Sequence, residues 1–143
     1  GYIHVNIQQR EPVLRVLTGE GYYVDRDGRV MPLSSKFTSR VVVATGDINK
    51  KFACEKLGPF AMKLKNEPFW DAYIEQLVVR SNEDVVMIPK VGDFRIVLGK
   101  VDDCEARLEK LMLFLKDGIT KKGWNRYKEI NLKFDNQVVC VRK

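Results

Sequence analysis

The sequence predicts an α+β fold: a mostly antiparallel β-sheet with two or three helices packed on it. Three observations predict it. Short runs rich in valine, isoleucine and aromatic residues recur along the chain, separated by turn residues. One segment, Asp102 to Lys116, carries apolar residues at helical spacing. Apolar residues make up 45% of the chain and charged residues 31%, a balance that supports a real core and argues against global disorder.

Taken from the N-terminus, Ile3, Val5 and Ile7 alternate with His4, Asn6 and Gln8, the pattern of a half-buried strand. "REPVLRVL" continues it in extended form, and Pro12 favours an edge or a bulge there. The stretch Glu20 to Ser34, "EGYYVDRDGRVMPLS", reads as two strand runs around Asp25-Arg26-Asp27-Gly28. Asp supplies side-chain acceptors for the turn and Gly supplies a positive φ. A calcium loop fails at this site. With Gly28 in the sixth position, Tyr23 would stand first and Ser34 last, where an EF-hand needs an acidic residue and a glutamate. Val41 to Val43 are a buried-type strand ending in a glycine turn, and Asp47 can cap the segment after it. A weak helical pattern covers Ile48 to Leu57, and Pro59 suits the first turn of a helix through about Lys65. Pro68-Phe69-Trp70 reads as a turn whose aromatics plug the core.

From Ile74, "IEQLVV", "DVVMIP" and "FRIVLG" predict an antiparallel meander, with turns at Ser81-Asn82-Glu83 and Lys90-Val91-Gly92. Asp102 or Asp103 caps the clear helix and Gly118 ends it. Cys104, Leu108, Leu111, Met112 and Leu115 form its core face, while Glu109, Lys110 and Lys116 belong to its solvated side. After the basic loop 121–128, "KKGWNRYK", two strands close the chain. In the first, Ile130, Leu132 and Phe134 alternate with Glu129, Asn131 and Lys133. Asp135-Asn136 makes the turn, and "QVVCVRK" is the second.

Composition excludes several classes of function. No apolar run approaches bilayer length, and no signal peptide is visible. The start at Gly1 suggests a piece excised from a longer protein. The net charge of +6 is spread along the chain and reads as a solvated, mixed-sign surface. Cys54, Cys104 and Cys140 are far apart, lack C-x-x-C spacing and have only His4 for company, so they make no zinc site. One disulfide plus a free thiol is open to them; three unpaired core thiols is the preferred reading. No nucleotide motif occurs: Gly99-Lys100 has Phe94 where a phosphate loop needs its first glycine, and Val101 after the lysine. A cysteine nucleophile would need His4 as its base, and no carboxylate pair stands out for acid–base work. The chain is therefore expected to be no enzyme and to hold no cofactor or metal.

Two binding readings remain. In loop 121–128, Trp124 and Tyr127 lie among basic residues, which suits base stacking and phosphate contact. Asp117 and Glu129 flank the loop, and aromatics packed on the sheet with lysines in water is the preferred reading. The last run, Gln137 to Lys143, is short, β-rich and free of proline. At a sheet margin it would offer backbone groups to a partner strand, although Arg142 and Lys143 are also charges that guard an edge.

Several motifs, in order along the chain, resemble the FtsQ/DivIB family of bacterial cell-division proteins. "REPVLRVL" with "GYYVDRDGRVMPL" resembles the family's junction segment and the hairpin after it. "FRIVLGK" followed by "ARLEKLMLFL" resembles its V-x-LG strand and RL-x-x-F helix, and "EINLKFDNQVVCV" its closing hairpin. "PFWDAYIEQLVV" and "MPLS" are similar to Bacteroidetes versions. The resemblance implies an FtsQ-type β domain at 18–143, preceded by the last strand of a truncated POTRA domain at 1–17. It implies a non-catalytic divisome scaffold at the septum, on the periplasmic face of the inner membrane. The full-length protein would carry one membrane helix, and this fragment would be soluble. FtsB- and FtsL-like proteins would be the partners and nucleic acid would not. FtsB would add a strand to the last strand of the β domain. Carried over by position, the binding residues are Lys133, Phe134, Asn136, Gln137, Val138, Val139, Cys140 and Val141. Lys133 stands for an arginine, which loses bidentate carboxylate pairing. Phe134 stands for a tyrosine, and Asn136 and Gln137 take the place of small turn residues.

Overall fold

The computed structural model describes residues 11–33, 40–116, 127–134 and 137–143. Its strands are β1 (Pro12–Val16), β2 (Tyr22–Asp25), β3 (Val30–Pro32), β4 (Val42–Gly46), β5 (Ile74–Val79), β6 (Val85–Pro89), β7 (Arg95–Gly99), β8 (Tyr127–Asn131) and β9 (Val139–Arg142). They form one sheet in the order β3-β2-β1-β4-β5-β6-β7-β8-β9. The fold is α+β as expected, but the sheet is mixed and not mostly antiparallel. β1 and β4, β4 and β5, and β7 and β8 pair in parallel. The cause lies in the connections. A helical crossover carries the chain from β4 to β5, and another helix lies between β7 and β8; such crossovers return the chain in the same direction. The meander of β5, β6 and β7 is antiparallel, as its short turns require.

A single row of paired residues shows where the core sits. Cys140, Ile130, Ile96, Met87, Leu77, Ala44, Val16 and Tyr22 stand side by side across eight strands. Side chains at paired positions share a face, and every member from Ile130 to Val16 is fully buried. Helices cover this face. A helical run comprises α1 (Lys50–Phe52), a π segment (Ala53–Leu57) and α2 (Gly58–Asn66), followed by α3 (Pro68–Tyr73) and later α4 (Glu105–Phe114). Phe52, Leu57, Phe60 and Leu64 are buried from the run, Trp70 from α3, and Leu108 and Leu111 from α4. Among the described residues no helix is long and apolar enough to cross a membrane.

Local expectations fare unevenly. The turn after β2 is as read: the Asp25 carboxylate accepts from the Asp27 and Arg29 amides at 2.9 and 2.8 Å, and Gly28 has φ +77°. Pro12 sits beside a bulge in an interior strand, not at an edge. The cap of α1 is Asn49, whose side chain accepts from the Phe52 amide at 2.7 Å, in place of Asp47. Pro68-Phe69-Trp70 opens α3 and is no turn: proline's fixed φ is pre-organised for a first helical position. Phe69 stacks on Tyr73 at 5.2 Å, and Trp70 fills the core. Neither aspartate caps α4. Cys104 holds the cap position without a side-chain bond, Asp102 pairs with Lys56 at 2.7 Å, and Asp103 takes φ +49°. Expectations for Ile3 to Gln9, His4, Gly118 and most of loop 121–128 lie outside the described residues.

Candidate partner-binding edge

β9 closes one end of the sheet, and among the described residues β8 is its only neighbouring strand. Register places Val139 against Asn131, Cys140 against Ile130 and Val141 against Glu129. Cys140 thus continues the buried row, while Val139 and Val141 point to the opposite face. All three are half-buried, and Arg142 is exposed. Val138 and Cys140 are partly buried and pack against the core. A strand with one neighbour directs alternate backbone groups outward, where a second strand can pair with them.

The residues expected at this site separate into two groups. Phe134, Gln137, Val138, Val139, Cys140 and Val141 lie along or just before the margin. Phe134 is 52% exposed, Gln137 is exposed, and the Gln137 amide donates to the Phe134 carbonyl at 3.4 Å. Asn136 lies outside the described residues. Lys133 turns the other way. Its ammonium donates to the Asp84 carboxylate at 2.7 Å, so its charge is directed into the sheet.

Asp84, Lys100 and Lys110 complete the surroundings, and sequence reasoning gave none of the three a place at this site. Asp84 is 3% exposed at the foot of β6. It takes Lys133 on one oxygen and Lys100 at 3.3 Å on the other, and Asn82 donates to it at 3.1 Å. The Lys133 ammonium, aided by Lys100 and opposed by burial, holds its carboxyl below the usual carboxylate range. Lys110, expected on a solvated helix face, donates to the Phe134 carbonyl at 2.8 Å. The one available signal was an aspartate directly ahead of the apolar run "VVMI", with a lysine shortly after each of two later strand runs.

Among the described residues no group of cysteine, histidine and carboxylate side chains could hold a metal ion. No disulfide joins the three cysteines. Burial pushes the Cys54 and Cys104 thiols up, away from the thiolate a nucleophile needs. A cleft of about 640 Å³ opens between α2, α3 and the ends of β4 and β5, lined by Val42, Leu64 and Trp70 with Arg40, Asp71 and Glu75 at its polar side. Its charges are of both signs, and it gathers no catalytic constellation.

A family model described as FtsQ/DivIB, C-terminal related, matches residues 11–141. No curated protein matches the chain.

Proposed function

The chain belongs to the FtsQ/DivIB C-terminal related family of cell-division proteins, and from that premise we infer that it is a non-enzymatic docking module of the divisome that receives an extended partner segment on β9. The partners are FtsB- and FtsL-like proteins, met on the periplasmic side of the inner membrane to which the full-length protein is anchored. Residues 18–143 serve as the docking domain, with β1 of the preceding segment built into the same sheet between β2 and β4. The observation that carries this reading is the position of β9: a proline-free strand at the end of the sheet with one described neighbour. Strand addition there supplies backbone hydrogen bonds for affinity, and alternate side-chain pockets supply specificity. Val139 and Val141 meet the partner on one face, Cys140 and Val138 on the other, and Phe134 offers an apolar ring beside them.

Calorimetric titration with the periplasmic segments of the FtsB and FtsL homologues tests this. Val139→Pro and Cys140→Pro are titrated alongside, because of two adjacent strand residues one directs its N–H outward. Binding by wild type, with loss in one folded proline variant, supports strand addition at β9. Equal binding by both folded variants removes the site from β9, and no binding by folded wild type removes the proposed partners.

A further inference from the structure

The geometry points to Asp84 as a positioning residue for the β9 margin: through Lys133 it pins the segment that leads into the β8–β9 hairpin, so that β9 and the Phe134 ring are held ready for a partner. The inference rests on the docking reading above and names a device that serves it.

Four observations carry it. Asp84 lies at the foot of β6 and Lys133 just past the end of β8, so the pair spans the intervening strand β7. The lysine stem crosses β7 at Gly99. A Cβ there would stand 3.1 Å from Lys133 Cγ, and Gly99 has φ +91°, so glycine both opens the path and permits the backbone turn. The lysine itself is held at its root, where the Leu132 amide donates to the Val97 carbonyl and the Lys133 amide to the Asn131 side chain, each at 2.9 Å. Lys110 then ties the Phe134 carbonyl to α4. The ends of three strands and one helix thus converge on residues 132–134, the last described residues before β9. A buried carboxylate takes ammonium groups strongly because water does not compete for it. The aromatic side chain that follows the pinned lysine is left exposed. Lys133 acts inward in this arrangement, and Phe134 is the outward-facing member of the pair.

Hydrogen exchange on this chain, read peptide by peptide, tests the pin without any partner. Asp84→Asn and Lys133→Met are expected to speed exchange of the 137–142 amides about tenfold while β4 and β5 keep their protection. The double variant is expected to match either single one, since the two residues act as a unit. Lys133→Arg, which keeps the charge, is expected to restore most of the protection. In the titration with FtsB and FtsL segments, the same two variants are expected to bind about tenfold more weakly, which is about 1.4 kcal/mol. Unchanged exchange at 137–142 in Lys133→Met overturns the pin, and this variant decides the matter if Asp84→Asn fails to fold. Faster exchange throughout the sheet makes the pair a general stabiliser and overturns positioning. Faster exchange with unchanged affinity overturns the link to docking. A wild type that binds neither segment removes the docking reading and the pin's role in it, while exchange still decides whether Asp84 braces the margin.

Discussion

The two ends of the sheet are built differently. β3 is three residues long and contains Pro32, which removes one backbone donor from the margin. Its hairpin is closed locally, by Asp25 within the turn itself. β9 has four residues, no proline, and a half-buried valine and cysteine set. Ahead of it, Asp84 and Lys110 tie residues 133 and 134 to distant parts of the chain. Proline and short length are devices that keep an edge from pairing. β3 carries both devices, whereas β9 has only the charges of Arg142 and Lys143 near its end, with Lys143 already paired to Asp93 at 3.2 Å. Among the described residues, then, one margin carries two devices against strand addition and the other carries neither.

The largest effects come from the core beside each margin. Ile130→Ala and Val24→Ala each empty a fully buried position. By denaturant unfolding the first should cost about 3 kcal/mol and the second about 2 kcal/mol. Only Ile130→Ala should also weaken partner binding; equal losses in binding would break the contrast between the margins. Next comes whichever of Val139→Pro and Cys140→Pro removes the outward N–H of β9, which should weaken partner binding about 100-fold, or about 2.7 kcal/mol. Asp84 should then show in the pH dependence of stability. Its carboxyl is held below the usual range in the fold and titrates normally when unfolded. Its stabilisation is therefore complete above the unfolded pKa and fades as pH falls through the folded one. Asp84→Asn should flatten that part of the acid limb, read by denaturant unfolding at a series of pH values. A limb of the same shape in the variant would assign the acid sensitivity elsewhere. The smallest effect belongs to β3. Val30→Lys, on that margin, should change stability by no more than about 0.5 kcal/mol and partner affinity not at all. A marked loss of affinity there would place docking at the wrong end.

Much of the fold was legible along the chain. The "YYVDRDG" hairpin, the meander after Ile74 and the core stripe Leu108, Leu111 and Leu115 all appear where their patterns put them. Misreadings came where one residue type serves two local purposes. Pro68 can open a helix or mark a turn, and only the packing of Trp70 against the core distinguishes them. Asp102 and Asp103 are good caps by type, but Asp102 is held by Lys56, forty-six residues away. At the candidate site, the margin strand was readable from composition, while the brace behind it was not. A lysine in a polar position gives no sign that its ammonium will turn toward a buried carboxylate forty-nine residues earlier.

Residue patterns alone settle the strand and helix segments, the turn chemistry and the apolar face of each element, because these depend on neighbours a few positions away. The order of nine strands, their mixed directions, the place of β9 at the end of the sheet and the burial of Asp84 were settled by tertiary packing. Each of these is a contact between segments far apart in the chain. Its free energy depends on which surfaces meet and which charges lose water together, and no short stretch of sequence carries that information.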